Sequence, residues 1–337
     1  MNIEQQKNLR NLTTLKVGGD AEYFVEVTSE ADVIEAVAYA QAHDLAITVL
    51  SGGSNVLVSD DGIKGLVMHM CITGITTFYS GETADVSAFA GESLDDVVLY
   101  AVENGLWGIE NLSHIPGSVG ATPVQNVGAY GVEVSHVIKT VRAYNCHSHT
   151  FDLFTNASCA FGYRDSFFKT VEGKKYIITS VTFSLSKNKI PKIEYVDLKN
   201  YFKDEVPTLI KIREVLISIR KNKFPNWHEI GTAGSFFKNP IIGKKQYALL
   251  VERYEGFPGY DLDENTVKLS LGWILDKTLH LKGYTAGTLS LYEKQALVLI
   301  AGEGSTALTI EQFANDIITK VKDETGVDVQ WEVTKLQ

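Results

Sequence analysis

The chain has no run of about 18 apolar residues, the length a membrane-spanning helix needs, although 45% of its 337 residues are hydrophobic, enough to bury a sizeable core. It has only three cysteines, Cys71, Cys146 and Cys159. Their number is odd and none stands in a Cys-x-x-Cys pair, so neither a disulfide framework nor a structural zinc is implied; the thiols are expected reduced, and no metal is expected. Positive charge is also short: 31 Lys and Arg against 41 Asp and Glu leave a net charge of -10. That argues against nucleic acid or an anionic membrane as partner, since both need a positive face. The opening Met1-Asn2-Ile3-Glu4-Gln5-Gln6-Lys7 lacks the apolar stretch of a signal peptide. A cytoplasmic protein is expected. His147 and His149 flank Ser148 at a chelating distance, but the polar stretch Asn145 to Thr150 between two strand-like runs reads as a hairpin turn.

Phe24 to Val27 reads as a strand. Ser29-x-x-Asp32 is a capping box that opens a helix running to about His43, with Val33, Val37 and Ala40 on one face. Ala46 to Leu50 is a short buried strand, followed by Ser51-Gly52-Gly53-Ser54-Asn55 and a second apolar run, Val56 to Val58. The glycines let the backbone reach positive φ and approach a ligand, and successive amides there can form an anion nest. The motif is neither a Rossmann fingerprint nor a P-loop. Taken alone, it reads as an ordinary turn.

A second strand, Ala84 to Ala90, precedes a helix capped by Ser93-x-x-Asp96 that stops at Gly105. The stretch from Asn111 to Gly131 then contains no Asp, Glu, Lys or Arg. Its glycines at 117, 120, 128 and 131, with Pro116 and Pro123, rule out a regular helix, yet the lack of charge says that something covers it. A large, flat, mostly uncharged cofactor is one cover. A buried irregular connection is the other, and it must satisfy many backbone groups internally.

Two further glycine-flanked loops mix apolar rings with single polar groups: Gly162-Tyr163-Arg164-Asp165-Ser166 and Gly234-Ser235-Phe236-Phe237-Lys238-Asn239-Pro240. A turn needing only solubility would carry several charges and no paired Phe. With Glu332 near the C-terminus, these loops supply a guanidinium, a hydroxyl and a carboxylate. Singly, each residue has a plain structural explanation: an ion pair for Arg164 with Asp165, a turn cap for Ser235, a surface position for Glu332.

In this order the segments resemble one family nearly end to end. Thr13 to Gly19, Gly52 to Leu57, Ile115-Pro116-Gly117, Gln125 to Gly131, Gly162 to Ser166 and Gly234 to Pro240 are similar to the motifs of the UDP-N-acetylenolpyruvoylglucosamine reductases, flavoenzymes of peptidoglycan precursor synthesis. The resemblance implies an α+β fold: a two-lobed FAD-binding domain of the vanillyl-alcohol-oxidase type, plus a smaller α+β substrate domain. The lobes would be residues 1–70 and 71–224, the latter joined by 326–337, and the substrate domain 225–325. In that last domain a helix around Trp273-Ile274-Leu275, a strand Ala296 to Ile300 and a helix capped by Thr309-x-x-Gln312 are expected.

By the same resemblance, FAD is bound non-covalently by Ser51, Gly52, Gly53, Ser54, Asn55, Pro116, Gly117, Ser118, Gly120, Ala121, Gln125, Asn126 and Gly128, with NADPH as hydride donor. Arg164 and Glu332 would stabilise the enolate of the enolpyruvyl UDP-sugar, and Ser235 would protonate its α-carbon. Tyr130, Tyr163, Tyr195, Arg220, Lys223, Asn239 and Gln295 would bind substrate in a monomer. Without the resemblance, the Arg220, Lys221 and Lys223 cluster reads as a solvated helix end, Tyr195 as core and Cys159 as buried. The chain departs from the family at Tyr292, where a His is common, and at Ala301, where an Asn is; Trp227-His228-Glu229-Ile230 is also unusual. Two other readings stand beside it: an oxygen-using FAD oxidoreductase of the same superfamily, and a silent nucleotide-sugar sensor.

Overall fold

In the computed structural model, which describes residues 1–203 and 205–337, the chain forms two compact units. One comprises Met1–Lys7, Ala21–Gly53 and Lys64–Arg220; the other comprises Asn8–Asp20, Ser54–Ile63 and Lys221–Gln337. The secondary structure is mixed and segregated, as the α+β expectation requires.

Among the described residues the first unit contains a four-stranded sheet, a five-stranded sheet and a short antiparallel pair, Gly128–Ala129 with Val132–Glu133. The four-stranded one runs in the order Ile3–Asn8, Asp20–Val27, Ile63–Met70, Ile47–Leu50. Its last pair is parallel, with Ile47 opposite Leu66 and Leu50 opposite His69. The five-stranded antiparallel sheet runs Thr150–Thr155, Ile138–Asn145, Tyr176–Ser186, Thr83–Phe89, Ile75–Ser80. Alternation along Thr83–Phe89 turns Ala84, Val86 and Ala88 inward, the period-2 pattern of a half-buried strand. Asn145 to Thr150 is the hairpin turn of this sheet, where the Asn145 Oδ1 accepts from the amides of His147 and Ser148 at 2.8 and 3.1 Å.

Two helices of this unit, Glu30–Ala42 and Leu94–Glu103, begin where the capping residues stand. Ser29 Oγ accepts from the Asp32 amide at 3.1 Å and Asp32 Oδ2 from the Ser29 amide at 3.0 Å, starting Glu30–Ala42. Satisfying otherwise orphaned N-terminal amides is worth about 1 kcal/mol per cap. Leu94–Glu103 starts from Ser93, whose Oγ accepts from the Asp96 amide at 3.4 Å, and ends before Gly105, whose φ of +70° only glycine adopts cheaply. Val33 and Val37 from the first helix, Val97 and Ala101 from the second, Val25 and Met68 from one sheet, and Val141, Val181 and Phe183 from the other form a single buried cluster.

In the second unit Val56–Val58 pairs in parallel with Thr334–Leu336. Two three-stranded antiparallel sheets, Ile241–Gly243 with Thr266–Leu269 and Gly259–Asp261, and Thr285–Ala286 with Leu289–Tyr292 and Gln295–Ala301, frame the helices Lys244–Arg253 and Ala307–Thr325. The helix around Trp273 is a single turn, Leu271–Trp273, continued by a π-helical turn, Ile274–Thr278. The expected cap at Thr309 is corrected to Thr306. That residue has extended backbone, its hydroxyl accepts from the Thr309 amide at 3.2 Å, and Thr309 sits at the third helical position, returning its own hydroxyl to the Thr306 amide at 3.0 Å. Asp60 adds a carboxylate at the same end, accepting from the amides of Ala307 and Leu308 at 2.8 and 2.9 Å. Leu57, Phe236, Phe237, Leu299, Ile310, Ile317 and Val321 lie in this unit's core.

No described helix is long and apolar enough to cross a membrane.

Candidate active site

The glycine turn and the uncharged stretch meet in the first unit. Ser51 and Ser118 hydrogen-bond through their hydroxyls, and the Gly52 amide donates to Ser118 Oγ at 3.4 Å. A Cβ at position 52 would stand 3.1 Å from Gly117 Cα, so the two backbones touch where only glycine fits. Gly53 and Gly117 have φ of +57° and +119°.

The uncharged stretch is anchored from behind: the Gly120 amide donates to Ala90 O at 2.9 Å, Val119 to Glu92 O at 2.8 Å, and Leu94 to Gly117 O at 3.0 Å. A Cβ at Gly120 would lie 2.6 Å from that of Ala90. Pro116, Gly117, Gly120 and Gln125 are half-buried and Ala121 is exposed, while Ser118 and Asn126 are buried. Close backbone approach, positive-φ glycines and no charged side chain between 111 and 131 fit a bound flavin dinucleotide, whose diphosphate needs backbone amides and whose ring needs an apolar wall. The connection is thus pinned by its own backbone hydrogen bonds.

Asn126 knits this stretch to the arginine loop. Its Nδ2 donates to Gly162 O at 3.0 Å and to Glu133 Oε2 at 2.7 Å, and its Oδ1 accepts from the Ser135 amide at 3.1 Å. Gly162 and Asp165 close a tight turn with reciprocal bonds of 2.9 and 3.3 Å. From that turn Arg164 donates Nη2 to Gly128 O at 3.0 Å, with its guanidinium 5.7 Å from the Tyr163 ring centroid. Lys169 Nζ donates to Arg164 O at 2.7 Å and Ser166 Oγ to Val124 O at 2.7 Å, fixing the loop at its far side. Asn126, Tyr130 and Arg164 all have φ between +45° and +52°. Such backbone is uncommon outside glycine and gathers at functional sites.

Tyr130 is held at both ends. Asn111 Nδ2 donates to its carbonyl at 2.9 Å, and its hydroxyl hydrogen-bonds the Arg220 guanidinium. Burial raises the phenol's pKa, and the Arg220 charge works against that rise. Arg220 is only 9% exposed; burial lowers its pKa, opposed by Tyr130 and Asp95. Its Nε donates to His114 O at 2.9 Å. So Arg220 is not part of a solvated helix end. Tyr195, expected in the core on its own, is 41% exposed and sets its ring edge-on to Tyr130, centroids 5.1 Å apart.

Ser235 and Glu332 are neighbours in the second unit. The Phe236 amide donates to Leu297 O at 2.9 Å, and the Glu332 amide donates to Phe236 O at 2.8 Å, so the serine loop lies between Gln295–Ala301 and the C-terminal segment. Phe237 bridges Trp331, and Lys238 donates to Gln330 O at 2.9 Å. Asn55 belongs to this group: Nδ2 donates to Glu332 O at 3.1 Å and its carbonyl accepts from the Thr334 amide at 3.0 Å. Asn239 Oδ1 accepts from the Leu271 amide at 3.0 Å, and a Cβ at the adjacent Gly272 would lie 3.1 Å from Gln295 Oε1, which gathers both substrate candidates at one helix start. Ser54 and Lys223 also lie in this unit, both half-buried. Arg164 belongs to the first unit, Ser235 and Glu332 to the second.

Sequence reasoning passed over Asp95, Arg213, Asn111 and Glu133. Asn111 supports Tyr130 and Glu133 supports Asn126, while Arg213 and Asp95 hold each other and the His114 amide. Asp95, beside the capping Asp96, accepts two bonds from Arg213 and one from the His114 amide at 2.5 Å. Its only sequence signal was a second acid in a helix's first turn, which the helix dipole explains equally well. Cys159 is fully buried, and burial pushes its thiol up to about 11.

Comparison with known proteins accounts for both halves. Residues 21–152 match the family described as FAD binding domain, and residues 225–336 match the UDP-N-acetylenolpyruvoylglucosamine reductase C-terminal domain. The chain is 38% identical over 326 residues to the UDP-N-acetylenolpyruvoylglucosamine reductase of Ralstonia nicotianae, covering 95% of each. To the enzyme of that name from Bdellovibrio bacteriovorus it is 37% identical over 337 residues, covering 98% of this chain and 99% of the other. The crystal structure of the Thermus caldophilus reductase shares the fold over the full length of both chains, with a TM-score of 0.69 at 22% identity. With an FAD-binding domain in its first half and the reductase C-terminal domain in its second, the chain belongs to the UDP-N-acetylenolpyruvoylglucosamine reductase family.

Proposed function

We propose that the protein is a cytoplasmic, monomeric UDP-N-acetylenolpyruvoylglucosamine reductase that uses NADPH and non-covalent FAD to reduce the enolpyruvyl group of its UDP-sugar to the lactyl ether of UDP-N-acetylmuramate. The carrying observation is the 2.8 Å hydrogen bond from the Glu332 amide to the carbonyl of Phe236, the residue after Ser235, in a chain that belongs to this family and has Arg164 in the matching loop. Residues 1–70 and 71–224, joined by 326–337, form the flavin lobes in this reading and 225–325 the substrate domain; the match of the family's C-terminal domain from residue 225 supports that last boundary.

Ser51, Gly52, Gly53, Ser54 and Asn55, with Pro116, Gly117, Ser118, Gly120, Ala121, Gln125, Asn126 and Gly128, would hold FAD. When bound, FAD supplies the hydride carrier between NADPH and the substrate's β-carbon. Arg164, oriented by Gly128 O and Tyr163, places its guanidinium beside the substrate carboxylate, where negative charge grows as the enolate forms. An interaction stronger in the transition state than in the ground state raises the rate. In this reading Glu332 shares with Arg164 the stabilisation of the enolate. Ser235 Oγ then gives its proton to the α-carbon on one face; a serine can do this only to a strongly basic carbon in fixed geometry. Tyr130, Tyr163, Tyr195, Arg220, Lys223, Asn239 and Gln295 bind the UDP-sugar, with Arg220 acting through Tyr130.

The deciding experiment is an anaerobic absorbance titration. Yellow protein bleached by NADPH and restored by UDP-N-acetylglucosamine enolpyruvate supports the reductase. Colourless protein points to the sensor, and restoration only by oxygen to an oxidase.

A further inference from the structure

Glu26, His69 and Cys71 form a cluster that has no part in the reaction above. Glu26 lies on the strand Asp20–Val27 and His69 on its neighbour Ile63–Met70. Cys71 follows His69 by two residues, and its amide continues the ladder to Val27 O at 2.9 Å, so the period-2 alternation turns both side chains to one face. His69 Nδ1 stands 3.4 Å from Glu26 Oε1 and 3.3 Å from Cys71 Sγ, and all three ligand atoms lie within 4.8 Å of one another.

The two separations from His69 match edges of a small coordination tetrahedron, and the 4.8 Å bound on the third leaves the carboxylate a short swing to close it. With zinc–sulfur at ~2.3 Å and zinc–nitrogen and zinc–oxygen at ~2.0–2.1 Å, tetrahedral angles put S and N ~3.5 Å apart and N and O ~3.3 Å apart. The His69 side chain is 18% exposed and the Glu26 side chain 59%, so the histidine is fixed, the carboxylate can swing in, and water can reach a fourth position. Tilted packing of the His69 ring on Phe24, centroids 5.9 Å apart, holds the imidazole plane.

We propose that Glu26, His69 and Cys71 bind a divalent cation of zinc's kind, with water as fourth ligand. A thiolate, an imidazole and a single carboxylate favour zinc over magnesium or calcium, which prefer oxygen-only shells. On binding, a sulfur–zinc bond replaces the S–H bond, the thiol proton leaves to solvent, and the two anionic ligands balance the metal's charge.

The test uses the full chain with its flavin, stripped of metal by a chelator and titrated with zinc against a chromophoric competitor. One equivalent is expected to bind, with affinity reduced at least about tenfold in Cys71→Ser and in His69→Ala and unchanged in Cys146→Ser. Cobalt in place of zinc should give ligand-field absorption beyond the flavin bands. Absence of a saturable equivalent, or the same affinity in the first two variants, overturns the site and leaves a plain Glu26–His69 ion pair. The unaltered chain supplies a check that needs no variant: zinc should slow alkylation of Cys71 as read by mass spectrometry, and unchanged alkylation overturns the site as well.

Discussion

Arg213 grips Asp95 with two parallel hydrogen bonds, Nη1 to Oδ1 at 2.6 Å and Nη2 to Oδ2 at 2.9 Å, tying the helix Leu209–Lys223 to the first turn of Leu94–Glu103. The same carboxylate accepts from the His114 amide, and His114 O accepts from Arg220, which bonds Tyr130. The uncharged stretch is therefore stiffened by the buried and half-buried charges of Arg220 and Asp95.

Asp95 predicts a pH dependence. Burial raises its pKa, but the Arg213 bonds, the His114 amide and the Arg213 charge together outweigh burial and bring it below the usual aspartate value. A depressed folded-state pKa contributes stability that is complete above the unfolded value of about 4 and is lost as pH falls through the lower folded value. Asp95→Asn should lower unfolding stability at pH 7 by about 1–2 kcal/mol and flatten the acid limb below pH ~4, as read from urea midpoints across pH.

Gly117 has a φ of +119°, which side chains rarely adopt. Gly117→Ala should strain this backbone by about 1–3 kcal/mol and weaken flavin retention by roughly tenfold, measured by fluorescence of flavin released on dilution. Full retention at unchanged stability would show that the Gly52–Gly117 contact does not shape the flavin site.

For Arg220, a methionine keeps much of the volume and removes the donors. The Tyr130 hydroxyl and His114 carbonyl then lose a charged partner, so Arg220→Met should cost about 2–3 kcal/mol of stability and raise KM for the UDP-sugar more than it lowers kcat. A Lys there restores charge but not the two-ended reach, and should recover only part of the loss.

Removal of the Ser235 hydroxyl tests the proton donor. Ser235→Ala should lower kcat by about 10²–10⁴ at nearly constant substrate affinity, and Ser235→Cys should lose less because a thiol still donates. Equal rates in the two variants would reject this role. Flavin reduction by NADPH should be unchanged in both, since it precedes protonation.

Short-range physics made a large part of the fold legible. Ser29 with Asp32 and Ser93 with Asp96 mark their helices because a capping side chain reaches only amides two or three residues away. The same locality explains the miss at Thr306 and Thr309: two threonines three apart each resemble a cap, and only the extended backbone of Thr306 separates them. Glycine positions announced the turn at Gly52 and the stretch at Gly117 because positive φ is a property of one residue.

Partner choice was decided by tertiary structure. Ala46 to Leu50 and Val56 to Val58 read as two strands on either side of a glycine turn, yet Ile47–Leu50 pairs with Ile63–Met70 and Val56–Val58 with Thr334–Leu336, in different units. Asn55 reaches Glu332 across 277 residues and Arg213 reaches Asp95 across 118, separations over which sequence spacing carries no geometric information. Glu26 meets His69 only because two strands lie side by side. What the sequence determined by itself were the local elements, the capping points and the residue chemistry, since those depend on neighbours within a turn; which distant groups meet was settled by burying two separate apolar cores, a condition met only by the folded chain as a whole.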